Sequence, residues 1–180
     1  MKHLLILSGK GGTGKTTVAS AFIKLAEAQA FADCDVDAPN LHLVTQCDVP
    51  PEKEDYYGLP KARINPQACV KCGSCLYHCQ FHAVEKADGQ YTVNPFACEG
   101  CGVCGYVCPA NAIQMEEQLA GEMQLYQNDS NVFSTAQLKM GSGNSGMLVT
   151  QVKKRMRRAA KDAPFAIIDG SPGIGCPVIA

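Results

Sequence analysis

The strongest constraint on this chain is one cysteine run that occurs twice, offset by twenty-nine residues. Cys69, Cys72, Cys75 and Cys79 form the first copy, and Cys98, Cys101, Cys104 and Cys108 form the second. Both read C-x2-C-x2-C-x3-C; Pro109 follows the second, whereas Gln80 follows the first. The copies agree beyond the thiols. Ile64-Asn65-Pro66 matches Val93-Asn94-Pro95, Ala68 matches Ala97, Gly73 matches Gly102, and Ala83-Val84 matches Ala112-Ile113. A duplication of this kind is one iron–sulfur half-module used twice.

Thiolates at i, i+3 and i+6 on a short irregular loop can all point inward around one cluster. The fourth cysteine sits on the following helical turn and reaches the other cluster. The spacing therefore predicts two 4Fe–4S clusters, one on Cys69, Cys72, Cys75 and Cys108, the other on Cys98, Cys101, Cys104 and Cys79. Gly73 and Gly102 suit backbone that turns tightly past an inorganic core. Ala83 and Ala112 would let a helix pass close by. Zinc needs only four ligands in separated knuckles and would leave the third and fourth cysteines of each run surplus. A disulfide framework needs an oxidising compartment, and nothing in the sequence supplies a route to one.

The 180 residues amount to about one domain, or one domain carrying a small insert. A net charge of −1 leaves no electrostatic footprint for nucleic acid. The apolar run from Leu4 to Leu7 is too short for a signal peptide and enters a glycine-rich loop. No segment approaches the roughly 20 apolar residues of a membrane span. A cytoplasmic location is expected, where clusters are maintained and thiols stay reduced. Of the eleven cysteines, Cys34, Cys47 and Cys176 lie outside the two runs and are expected to be buried or redox-idle.

Leu4 to Leu7 reads as a buried strand leading into Gly9-Lys10-Gly11-Gly12-Thr13-Gly14-Lys15-Thr16-Thr17. Gly9 to Thr16 fits G-x4-G-K-S/T, the P-loop. Its glycines let backbone N–H groups converge on phosphates, and the next helix presents its positive end to them. Lys15 would bridge the β- and γ-phosphates of ATP, and the Thr16 hydroxyl would hold Mg²⁺. Val18, Ala21, Phe22, Leu25 and Ala26 then mark an apolar stripe of helical period. Further on, a short strand ends in the alternating acids Asp33, Asp35 and Asp37, followed by a Pro39-Asn40 break. Phe165 to Asp169 has the form of a Walker B strand, with Asp169 holding Mg²⁺ at the carboxyl edge of a sheet. Gly170 and Gly173 would let the following segment switch conformation.

Lys10 to Thr16 reads K-G-G-x-G-K-T and resembles the loop of the MinD/ParA class of deviant Walker A ATPases. The resemblance implies that Lys10 reaches across a nucleotide-dependent homodimer to the partner's phosphates. It also implies that the Asp33–Asp37 segment is switch I, with Asp35 positioning the attacking water. The whole arrangement resembles MinD-superfamily P-loop ATPases with an inserted two-cluster ferredoxin domain. The nitrogenase iron protein and Mrp-type cluster carriers are similar at longer range.

The expected fold is α/β: a P-loop NTPase with a parallel sheet flanked by helices, interrupted by an α+β bacterial-ferredoxin-like insert. Residues 1–60 and 118–180 form the discontinuous NTPase part, and residues 61–117 the insert. The family carries a second half beyond switch II, so the NTPase part reads as truncated at Ala180. An insert this small buries little apolar surface, so its folding should depend on its clusters. Gly121 to Gln127 and Val132 to Leu138 look like strands. A helix follows with Val149, Val152, Met156, Ala159 and Ala163 inward, and Lys153, Lys154, Arg155, Arg157 and Arg158 largely outward.

The function this predicts is ATP-gated electron transfer to or from a redox partner protein, with ATP hydrolysis by the intact form. The alternatives from other classes are an iron–sulfur cluster carrier and an electron-transfer module whose ATPase part is non-functional.

Overall fold

In the computed structural model, which describes residues 1–45 and 47–180, the chain begins with β1 (Lys2–Ile6), α1 (Lys15–Leu25), β2 (Ala30–Asp33), a 3-10 turn (Leu41–Leu43) and β3 (Glu52–Tyr57). Next come β4 (Lys61–Ile64), α2 (Ser74–His78), β5 (Val84–Ala87), β6 (Gln90–Val93), α3 (Val103–Tyr106) and β7 (Ile113–Glu116). The last elements are β8 (Leu119–Gln127), β9 (Val132–Leu138), α4 (Ser145–Ala159), β10 (Phe165–Asp169) and α5 (Cys176–Ile179). They divide into two units: Met1–Tyr56 with Ala120–Met140 and Asn144–Ala180, and Tyr57–Leu119 with Gly141–Gly143.

The first unit is mixed α/β around a six-stranded sheet of order β1-β10-β2-β9-β8-β3. Pairs β1–β10, β10–β2 and β2–β9 are parallel, and β8–β9 is antiparallel. Alternation along the strands divides the core into two layers. Ala30, Ala32, Ala166 and Ile168 face Leu148, Val149, Val152 and Met156 of α4. Phe31, Ile167 and Phe133 face Ala19 and Ile23 of α1. Phe133 stacks on Phe31 at 5.0 Å and on Tyr126 at 5.4 Å between ring centroids. Such pairs contribute about 0.5–1.5 kcal/mol beyond burial.

Three expectations change. β1 is not a buried strand: it ends the sheet, and Leu4 and Leu5 are 43% and 46% exposed. An apolar run identifies a strand, but its burial depends on sheet order, which the run does not encode. Helix α1 turns Ala19 and Ile23 inward against the sheet and leaves Val18, Phe22 and Leu25, on another of its apolar faces, exposed. The cationic run of α4 is only partly outward. Lys153 donates to the Ala180 carbonyl, and Arg155 bonds Glu52 at 2.9 Å and lies 3.6 Å from Glu54.

The second unit is a ferredoxin-type module with two antiparallel ladders, β4–β7 and β5–β6. The twenty-nine-residue offset maps β4 onto β6 and β5 onto β7. Each ladder therefore joins a strand of one copy to a strand of the other. The exchange is reciprocal: Asn65 N–H donates to the Ala112 carbonyl, and Asn94 N–H to the Ala83 carbonyl, both at 2.8 Å. Backbone angles repeat as well, with φ of 79° at Gly73 and 76° at Gly102, and of 51° at His82 and 48° at Asn111. Among the described residues no helix is long and apolar enough to cross a membrane.

Candidate cluster and phosphate sites

The second unit encloses two small cavities with about 310 Å³ and 360 Å³ of empty space, mouths included. Cys69, Cys72, Cys75 and Cys108 line the first; Cys98, Cys101, Cys104 and Cys79 line the second. Three thiols of each set come from one run and the fourth from the other. Short helices α2 and α3 achieve this, since each carries the third cysteine of its run inside it and the fourth just beyond its end. Among the described residues, no three His, Cys, Asp or Glu side chains are grouped around a single metal ion. The thiols surround space instead of converging on a point.

Backbone donors support the sulfurs. Ala83 N–H donates to Cys79 Sγ and Ala112 N–H to Cys108 Sγ, both at 3.3 Å. Ala83 and Ala112, expected to admit a passing helix, are buried and act through these N–H groups. Burial pushes the Cys75 and Cys104 thiols up, so loading a metal group there must expel protons. Gly100, at φ 71°, could not carry a Cβ, which would lie 2.4 Å from the Pro60 carbonyl oxygen. That close approach fixes the loop between Cys98 and Cys101. A soft four-sulfur donor set around each cavity, with N–H groups already aimed at sulfur, fits 4Fe–4S clusters. Sequence reading passed over Lys61, which is only 8% exposed and donates to the Cys98 carbonyl.

In the first unit, Gly11 to Thr17 line a more open cavity, with about 490 Å³ of empty space, mouth included, together with Ser8, Asp35 and Asn40. Gly9 and Lys10 are exposed beside it, and the Lys10 carbonyl accepts the Ser8 hydroxyl at 3.0 Å. Gly14 caps α1 in the left-handed region at φ 83°. The helix has no side-chain cap and no acid in its first turn, so its leading N–H groups remain available to an anion. Lys15 Nζ is paired with Asp169 Oδ1. Asp169 is fully buried and its Oδ2 has no partner among the described residues, an arrangement that calls for a cation or donor.

The three aspartates after β2 separate into distinct places. Asp33 is buried and accepts the N–H groups of Asp35, Asn40 and Leu41, each at 2.9 Å. Burial raises its carboxyl to about 6 against the pull of those donors, which makes it an organiser of the loop. Asp35 is half-buried and lines the glycine-loop cavity; burial pushes its carboxyl up and Lys15 opposes that shift. Asp37 is exposed.

The remaining cysteines also differ. Cys34 is buried, and burial with the Asp33 charge beside it pushes its thiol up to about 12. Cys47 is half-buried with the Thr45 hydroxyl at 3.8 Å. Cys176, expected to be buried or redox-idle, is exposed at the start of the four-residue α5, where a glycine-rich approach leaves it uncovered.

The family model described as a 4Fe-4S dicluster domain matches residues 62–115. The chain thus carries a 4Fe–4S dicluster ferredoxin domain, which supports an iron–sulfur electron-transfer protein. It is similar to an uncharacterized protein of Methanocaldococcus jannaschii, at 35% identity over 187 residues, covering 98% of this chain and 62% of the relative. The chain therefore spans about three-fifths of that relative's length.

Proposed function

We propose that this chain is an ATP-gated electron-transfer protein with two 4Fe–4S clusters. The ligand sets are Cys69, Cys72, Cys75 and Cys108 for one cluster, and Cys98, Cys101, Cys104 and Cys79 for the other. The observation that carries the redox half is the pair of cavities, each lined by three cysteines of one run and the fourth of the other. Each cluster supplies a reversible one-electron couple. The thiolates hold it in place, and the Ala83 and Ala112 N–H groups stabilise charge on sulfur.

The nucleotide half rests on the cavity between the glycine loop and Asp35. Backbone N–H groups of Gly11 to Thr16 would bind the phosphates of ATP, with the α1 N-terminus behind them. Lys15 would leave Asp169 to bridge the β- and γ-phosphates. Thr16 and the freed Asp169 would then hold Mg²⁺, which answers the unpaired Oδ2. Asp35 would orient the attacking water. The Gly173 N–H donates to the Ser8 carbonyl at 2.9 Å, so a change at the loop is felt by the segment after Asp169. Lys10, exposed at the loop, would contact the phosphates held by a second copy.

Gating requires that nucleotide bind two states of the protein with different affinity. The test is the midpoint potential of each cluster, and the rate of electron delivery to an acceptor, with and without MgATP. Both change in the proposed mechanism. Identical values in protein shown to bind MgATP would contradict gating.

A further inference from the structure

We infer that Lys61 makes the two clusters unequal: its ammonium raises the reduction potential of the cluster on Cys98, Cys101, Cys104 and Cys79, which therefore takes the first electron. The inference rests on the two-cluster reading above and adds an order of reduction to it.

The duplication supplies an internal control. Adding twenty-nine to Lys61 gives Gln90, so the first strand of one copy opens with a cation and that of the other with a neutral amide. Their surroundings differ too. Lys61 is buried and its Nζ donates to the carbonyl of Cys98, itself buried on the wall of the second cavity. Gln90 is exposed. Two other features that bear on a cluster potential are matched between the copies. The N–H to sulfur bonds are both 3.3 Å, and the loop glycines at 73 and 102 share one backbone conformation.

Other charges near the cavities are weaker influences. Glu99 lines the second cavity, where its counterpart in the first is Val70, and its charge opposes Lys61. Glu99 is exposed, however, as are His78 on the same wall and Lys71 in the first loop. Water and salt screen such groups within about 10 Å. A buried charge acts through a medium of far lower dielectric and is felt several-fold more strongly. Nor is Lys61 neutralised. None of the ion pairs among the described residues includes it, and Glu116, opposite it in the ladder, lies 3.3 Å from Arg63.

Reduction adds one electron from a one-electron donor, with no bond made or broken and no proton required. The added negative charge is stabilised by the fixed cation beside Cys98; among the described residues the other copy has only exposed cations near its cavity, Lys71 in the loop and Lys86 over the Tyr91 ring. A donor can therefore load either cluster, and the electron settles on the one next to Lys61.

The experiment is an anaerobic, stepwise dithionite titration followed by EPR, on the wild type, Lys61→Gln and Lys61→Arg. Iron and sulfide are counted in every sample, so failure of the two-cluster reading shows as a wrong count and stays separate. Two resolved steps are expected in the wild type. Lys61→Gln should lower the higher step towards the other, which stays in place, and Lys61→Arg should keep the gap. A second measurement needs no variant. At one electron per protein, NMR amide signals of residues 98–104 should broaden before those of residues 69–75. An unmoved higher step in Lys61→Gln with intact clusters, or earlier broadening at residues 69–75, overturns the inference.

Discussion

Lys15 Nζ is paired with Oδ1 of Asp169, while Oδ2 of the same carboxylate is buried without a partner among the described residues. In the proposed nucleotide site the pair holds together the two groups that phosphate and Mg²⁺ would each need, and the free oxygen is where Mg²⁺ would bind. Asp169→Asn keeps the side-chain shape and releases Lys15. In EDTA this variant should bind a fluorescent ATP analogue more tightly than the wild type, by about tenfold, equivalent to about 1.4 kcal/mol. Added Mg²⁺ should then give it no further affinity. An Asn variant that responds to Mg²⁺ as the wild type does contradicts this role for Asp169.

Gly100 combines a φ of 71° with an approach of 2.4 Å between a built Cβ and the Pro60 carbonyl oxygen. Gly89, at φ 72°, has open space in the Cβ direction. Gly89→Ala should cost only the conformational strain, about 1–2 kcal/mol. Gly100→Ala should cost more and act on the loop that carries Cys98 and Cys101. Bleaching by an iron chelator measures it: Gly100→Ala should lose one cluster several-fold faster than the wild type, and Gly89→Ala should lose both at nearly the wild-type rate.

Much of this site is legible in the residues because metal–sulfur geometry dictates thiol spacing. The two runs, the cavities and the mapping of β4 to β6 all follow from one repeat. Phe165 to Asp169 is equally plain, being an apolar run stopped by one acid, and β10 has those same bounds. What the residues do not carry is neighbourhood. The exposure of Leu4 and Leu5 depends on β1 ending the sheet, and the inward turn of Arg155 depends on Glu52 and Glu54 lying about a hundred residues away. Lys61 looks like a solvated charge at a domain edge until its contact with Cys98 is seen, although comparing the copies would have marked it.

The crossed ligand sets proposed above have a spectroscopic consequence. Cys108→Ser should perturb the same EPR signal as Cys72→Ser, and Cys79→Ser the same signal as Cys101→Ser. If Cys108→Ser instead shares its signal with Cys101→Ser, each run serves its own cluster and the assignment is wrong.

Cys34 and Cys176 should differ sharply in reactivity. A thiol raised to about 12 is about one part in ten thousand thiolate at pH 8, and only the thiolate attacks an alkylating agent. Raising the pH increases that fraction tenfold per unit until the thiol titrates, so Cys34 labelling should climb with pH from a negligible start. Iodoacetamide followed by mass spectrometry of the cluster-loaded protein should find Cys176 modified and Cys34 intact at pH 8. Rapid labelling of Cys34 in folded protein contradicts its burial.

Mössbauer spectroscopy of protein prepared without oxygen on enriched iron, with iron and sulfide counted on the same sample, tests the foundation of the account. It should give a single class of signal, that of 4Fe–4S cubanes, with four irons and four sulfides for each cavity. Zinc or disulfide bonds in the eight cysteines of the two runs, or iron in mononuclear sites, would contradict it.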